Sequence, residues 1–271
     1  PHPGHFYTFS VFRDLKTMAT TSRIRVREGT PADVDAIVDI YYKAFRDNVM
    51  DQLMYPGGPS EDARRKFTAK VLPRSTPEGE KGESLLCVAE YLPEGSPADG
   101  PWEVVAFGKW DLYREARTEE EWKADEFNAT ADTFGAGCDP SVINAFIGGM
   151  TRKQRDHAKG EAALFLGLLA CSPARQGLGA GSALMKWGVD LADSLGLPCR
   201  LEASPAGYRL YKKFGFEDFD VLDLPVTEKW GVANTKGDNW GQDIAVGLAG
   251  RAPDGVHRCA LMRRPPKSVK V

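Results

Sequence analysis

The chain has 271 residues, of which 42% are hydrophobic and 27% charged, and a formal net charge of −3 from 35 basic and 38 acidic side chains. That balance is ordinary for a globular protein and excludes long disorder, collagen-like repeats and coiled coils. No apolar run approaches the ~20 residues of a membrane-spanning helix, and the charge leaves no electrostatic footprint for nucleic acid, so neither partner is expected.

The length suits one large domain, or a core carrying an insertion. Residues 1–17 show no helical or alternating periodicity, and Met18-Ala19-Thr20-Thr21 reads as a natural start, so the ordered domain is expected only after residue 22. Residues 1–22 are expected to be an N-terminal extension, disordered or a cloning remnant and not a targeting peptide. A single domain is expected over 23–271. Cys87, Cys138, Cys171, Cys199 and Cys259 form no C-x-x-C pair. Disulfides and a zinc site are therefore not expected, and a reducing, cytoplasmic compartment is.

Arg23 to Glu28 alternates polar and apolar residues, the signature of a half-buried strand. A helix follows. Thr30 is its expected N-cap, Pro31 occupies the first turn, and Asp33 closes a capping box. Val34, Ile37, Val38, Tyr41, Ala44 and Phe45 recur at helical spacing as its buried stripe. Ser60 to Val71 reads as a second helix and Pro73 to Glu83 as a polar loop. Leu85–Glu90 and Trp102–Leu112 read as an antiparallel hairpin with a long tip.

Residues 113–160 read as a helical insertion suited to covering a site. Thr118 to Glu121 opens one helix and Asp139-Pro140 a longer one, in which Gly148-Gly149 predicts a kink or an early stop. Leu164 to Cys171 is a continuous apolar run suited to a central strand covered on both faces. A helix follows, with Leu184, Gly188, Leu191, Ala192 and Leu195 toward the sheet and Lys186, Asp190, Asp193 and Ser194 toward water. Arg200 to Ala203 and Val256 to Met262 are further strands. Arg263, Arg264 and Lys267 read as a solvated basic end, and the path of 225–255 is open.

Between the central strand and its helix lies Arg175-Gln176-Gly177-Leu178-Gly179-Ala180-Gly181. The first turn of a helix leaves backbone N–H groups without partners, and the macrodipole adds about half a positive charge there. Glycines at 177, 179 and 181 let the main chain approach an anion closely, so a phosphate or pyrophosphate is the natural ligand. The dinucleotide fingerprint fails, because its last position is Ser182, and the Walker pattern fails too.

The segment Gln176 to Gly181 resembles the Q/R-x-x-G-x-G/A signature of the GCN5-related N-acetyltransferase (GNAT) family. Ser204 to Glu217 is similar to the family's second signature, a tyrosine (Tyr211) shortly before Gly215-Phe216. The resemblance covers roughly residues 23–224 and looks closest to fungal members with a helical insertion. It implies an α/β (α+β) GNAT fold: a central mixed, mostly antiparallel twisted sheet flanked by helices, with splayed central strands and the helical insertion. It also implies acetyl-CoA as cofactor. The main-chain N–H groups of Leu178, Gly179, Ala180, Gly181 and Ser182 would hold its pyrophosphate, with Gly177 in the same turn and Arg175 and Gln176 beside it. The edges of Leu169 and Cys171 would pair with the pantetheine amides. Ser204, where the family often has Asn, would bond the same arm; Gly207 stands where the family often has Ala.

Tyr211 is implied as general acid toward the departing thiolate, since a phenol with reference pKa ~10 can donate at neutral pH. Glu202 is the candidate base, with Asp111, Glu90 and His157 as rivals. No metal is expected. The implied activity is acetyl transfer to a primary amine, of a small molecule in the first reading. A protein N-terminus or lysine, or a non-catalytic CoA-binding module, are the alternatives. Homodimer formation is left open.

Overall fold

In the computed structural model, residues 23–72, 82–124 and 126–267 are described. The expected extension 1–22, and residues 73–81 of the expected polar loop, lie outside them. Seven strands form one sheet: β1 (Ile24–Glu28), β2 (Gly82–Tyr91), β3 (Glu103–Tyr113), β4 (Ala163–Cys171), β5 (Cys199–Ala203), β6 (Glu217–Pro225) and β7 (Val256–Arg264). Their order is β1-β2-β3-β4-β5-β7-β6, and every neighbouring pair is antiparallel except β4 with β5. This is the mixed, mostly antiparallel GNAT sheet that the two signatures imply. β2 starts three residues before the expected Leu85 because Gly82, Glu83 and Ser84 pair with Tyr113, Leu112 and Asp111.

The helices are α1 (Val34–Phe45), α2 (Val49–Met54), α3 (Glu61–Val71), α4 (Glu119–Ala124), α5 (Ala131–Phe134), α6 (Pro140–Ala158), α7 (Ala180–Leu195), α8 (Tyr208–Lys213), α9 (Val226–Trp230) and α10 (Val246–Ala249). α7 crosses β1 to β4 on one face of the sheet, while α1 lies over β3 and β4 on the other. α6 shares the face of α1. Its Gln154 donates to Leu201 O at 2.8 Å and its Phe146 ring meets His257 edge-on, whereas Leu201 and Ala203 point into the core beneath α7. The insertion is therefore a packed layer of the domain over β6 and β7.

Local chemistry explains most boundaries. The Asp33 carboxylate accepts from the Thr30 N–H at 2.8 Å and from Arg27 at 2.7 Å, and a short 3-10 turn precedes α1. The buried face of α1 differs from the expected stripe: Ile37, Ile40 and Tyr42 are buried, and Val34, Val38, Tyr41, Ala44 and Phe45 are half-buried. Tyr42 is buried because α3 covers it, with Phe67 edge-on at 5.8 Å and the Arg64 guanidinium 4.4 Å from its ring centre. α2, absent from the expected elements, is only six residues long and is capped by Asn48.

α6 runs through Gly148-Gly149 without the expected break. A Cβ at Gly148 would stand 2.9 Å from the Phe127 ring, and one at Gly149 3.1 Å from Leu222, so both glycines admit close packing. In α7, Met185 and Val189 join Leu184, Gly188 and Ala192 in the core, while Leu191 and Leu195 are only half-buried. Asp193, expected to face water, receives a two-pronged bond from Arg264 at 2.7 and 2.8 Å. The basic end is thus built into the fold: the Arg264 side chain is 3% exposed, and Arg263 pairs with Glu161. β7 accordingly runs two residues past Met262. Residues 226–255 form α9, α10 and a loop with Trp240 buried, held by Arg258, which spans Asp223 and the carbonyl of Gly250.

Candidate active site

The site begins with a fault in β4. Trp110 of β3 faces Leu166 and Lys109 faces Leu168, so Gly167 is an extra, bulged residue. A bulge bends its strand and raises the local twist. Parallel pairing with β5 is short: Leu164 with Cys199, Phe165 with Arg200 and Leu166 with Leu201. From Gly167 to Cys171 the β5-facing edge of β4 has no strand partner among the described residues. The two central strands splay into a gap that opens toward their C-terminal ends.

The glycine-rich turn sits at the mouth of that gap. Gly177 and Gly179 have φ of +81° and +90°, a region that L side chains rarely adopt, and no atom lies within 4 Å of a Cβ built on either. Gly179 is the N-cap of α7, and residues 176–179 are exposed, Leu178 among them. The turn is thus an open cradle ahead of a sixteen-residue helix, which fits the diphosphate of a coenzyme A molecule. The Gly181 N–H is directed at the Cys171 sulfur, and burial pushes that thiol up, so it stays protonated and suits packing. Arg175 is paired with Glu103 at 2.8 Å and lies over the Tyr91 ring. Gln176 is exposed beside it.

Tyr211 and Glu202 approach the gap from opposite faces. Tyr211, on α8, is 6% exposed, packs edge-on to Phe216 and belongs to the core beneath α7. Burial is the main cause that pushes its phenol up, with smaller contributions from Cys171 and Glu202, so the group is held protonated. A Cβ at Gly207 would come within 2.7 Å of the Tyr211 ring, which explains glycine where the family often has alanine. Ser204 accepts from the Gly207 N–H at 3.4 Å, which leaves its O–H free to donate. Glu202 points to the α1 and α6 face, opposite its neighbours Leu201 and Ala203. Burial pushes its carboxyl up to about 7, and the charge of Asp111 adds to the shift.

Residues 102–216 match the acetyltransferase (GNAT) family. The match spans less than half of the chain, 115 of its 271 residues. Solved structures of similar fold include an agmatine N-acetyltransferase variant in its apo form, with 15% identity and a TM-score of 0.54 over 90% of this chain and 100% of that one. A Drosophila melanogaster polyamine N-acetyltransferase that forms N-acetylagmatine has 15% identity and a TM-score of 0.52, covering 89% and 99%. A mosquito arylalkylamine N-acetyltransferase-like protein has 15% identity and a TM-score of 0.51, again covering 89% and 99%. No curated protein matches the sequence.

Within this GNAT fold the rival bases fall apart by location. Glu90 lies on β2, two strands from the gap, and is held by Arg25 at 2.6 Å and Arg27 at 2.9 Å. The His157 ring stacks on Phe219, its Nδ1 is 3.1 Å from Arg200, and burial and the Arg200 charge lower its pKa. Asp111 does face the gap: its Oδ2 is 3.4 Å from where a Gly167 Cβ would stand, and Lys109 bonds its other oxygen at 3.1 Å. The Gly167 bulge is not among the expected site features. Its one signal in the sequence is a lone glycine inside an apolar strand. Among the described residues no cluster of metal-ligating side chains exists.

Proposed function

We propose that this protein is a GNAT acetyltransferase, which transfers the acetyl group of acetyl-CoA to a primary amine of a small molecule, directly and within a ternary complex. The observation that carries the reading is the unpaired β4–β5 gap, with Glu202 on one face, Tyr211 on the other and an open glycine cradle at its mouth. The cofactor, when bound, supplies an activated thioester. The amide N–H groups of Leu178, Gly179, Ala180 and Ser182, and that of Gly181 once it leaves Cys171, hold its diphosphate. The backbone edges of Leu169 and Cys171 and the Ser204 hydroxyl align its arm.

An amine nucleophile is protonated at neutral pH and must lose a proton before attack. Glu202, poised near neutrality, accepts that proton, directly or through water. Tyr211, held protonated, donates to the departing sulfur. An N–H of β4 near Leu169 polarises the carbonyl, and the walls of the gap position the two reactants. The solved relatives named for agmatine, polyamine and arylalkylamine acetylation support a small-molecule acceptor. The kinship with fungal members rests on the helical insertion alone. Five free cysteines support a cytoplasmic setting.

A screen of small amines with acetyl-CoA, read as release of free thiol, tests the function. Thiol release that requires an amine supports it. Tight coenzyme A binding with no release across the panel replaces it with a non-catalytic binding module.

A further inference from the structure

Helix α2 holds a carboxylate that no described residue neutralises. Asp51 is 7% exposed, and its Oδ1 is buried without a hydrogen-bond partner. Such a group is costly to keep and calls for an explanation. The start of α2 does not supply one: the Met50 N–H is taken by the Asn48 side chain at 2.8 Å and the Gln52 N–H by the Asn48 carbonyl at 3.1 Å. Burial alone pushes the Asp51 carboxyl up to about 6, with no cation among the described residues opposing it.

The surroundings are aromatic. Tyr41 and Tyr42 of α1, and Tyr55 directly after α2, are each near enough for the Asp51 charge to push their phenols up. Tyr55 stands four residues after Asp51, on the same side of the helix. The rings are fixed: Tyr41 meets Tyr42 edge-on at 4.9 Å and stacks on Phe67, and the Tyr55 hydroxyl donates to Phe134 O at 3.1 Å. Tyr42 already carries one cation, the Arg64 guanidinium, 4.4 Å from its ring centre. A buried carboxylate beside several rings is the pairing that binds an ammonium or guanidinium, by charge-assisted hydrogen bonds and by attraction to the ring faces.

The place in the fold is apt. α1 over β3 and β4, and α6 over β6 and β7, flank the β4–β5 gap on the face of Glu202. α2 joins the two, because Met50 and Met54 pack with Val142 and Ile143 of α6, and Met54 O accepts from the Asp139 N–H at 2.8 Å. Along α6, Ile143 lies about 16 Å from Gln154, the residue that bonds Leu201 beside Glu202. A molecule that reaches both Glu202 and α2 is therefore extended.

We infer that Asp51, with Tyr41, Tyr42 and Tyr55, receives a second cationic group at the far end of the acceptor, so that the acceptor is an elongated molecule with cations at both ends. This rests on the amine-acetylation reading above. The test compares n-alkylamines with α,ω-diamines of matching length, from 1,4-diaminobutane to 1,8-diaminooctane, in the wild-type protein and in Asp51→Asn. The wild type is expected to prefer the best diamine over its monoamine by about tenfold or more in kcat/KM, and the substitution to bring that ratio close to one, chiefly through KM. A wild-type ratio near one, or a ratio that Asp51→Asn leaves intact, overturns the inference. If no amine releases thiol, the acetylation reading is what fails. Calorimetry then decides on the site itself: 1,8-diaminooctane binding more tightly than octylamine, and losing that advantage in Asp51→Asn, sustains it, and equal binding overturns it.

Discussion

Leu166 is the last residue of β4 to pair with β5, opposite Leu201, and the residue that follows it, Gly167, is the bulge against β3. The break in one pairing and the end of the other coincide, so the gap is a property of the strand itself. A side chain at 167 would project toward Asp111 on the face of Glu202. Gly167→Val is expected to leave stability within about 1 kcal/mol, since residue 167 is exposed and its Cβ would meet no atom closer than 3.4 Å. It should lower kcat/KM by about tenfold or more by filling the acceptor side. Thermal unfolding and thiol release, measured on the same preparation, check both halves.

The centre of α7 offers a test of packing. Gly188→Ala would normally stabilise a helix interior by about 1 kcal/mol. Here a Cβ would stand 2.1 Å from the Trp110 ring, which is fully buried. Overpacking of that kind costs about 1–3 kcal/mol, so the clash wins and the variant should unfold at lower denaturant. A variant as stable as the parent would show that Trp110 can move aside.

Glu202 predicts two pH dependences of opposite sense. As a base it must be ionised, so kcat/KM should rise with pH up to about 7 and then level off, and Glu202→Gln should lose this limb along with most of the rate. For stability the sign is reversed. The folded carboxyl titrates at about 7 and an unperturbed one at 4.5, so the folded state binds the extra proton between the two. Stability contributed by this group therefore falls as pH rises through that window. Glu202→Gln should be more stable than the parent at pH 8 and nearly equal at pH 4, by denaturant titration at each pH.

The C-terminal anchor predicts a structural effect. The Arg264 side chain is 3% exposed and bonds both oxygens of Asp193. Asp193→Ala leaves that guanidinium buried without its anion, a loss of about 3 kcal/mol. Denaturant unfolding measures it, and the acetylation rate of the folded fraction should be nearly unchanged.

Patterns that depend on neighbours in the chain carry over from sequence to structure. The Thr30–Asp33 contact and the helix start at Asp139-Pro140 are local and appear where their residues predict, and the helix at 61–71 and the hairpin of β2 and β3 lie within a few residues of their expected bounds. The misreadings share one cause, a partner distant in sequence. Gly148 and Gly149 look like helix breakers until Phe127 and Leu222 are seen against them. Asp193 and Arg264 look solvated because they stand 71 positions apart. The same blindness applies to the site. The glycine turn is visible in the sequence because its conformational demand is local, whereas the placing of Glu202, and not Glu90, beside the gap requires the strand order. α2 and its Asp51 escape the sequence because six residues give too short a period to read.

The proposed chemistry requires the amino end of α7 to grip a coenzyme A diphosphate, which a crystal structure with coenzyme A bound would reveal. The predicted result is diphosphate oxygens within about 2.7–3.2 Å of backbone nitrogens between Leu178 and Ser182, with the pantetheine arm running between β4 and β5. A diphosphate bound elsewhere, or an arm lying outside the gap, would contradict it.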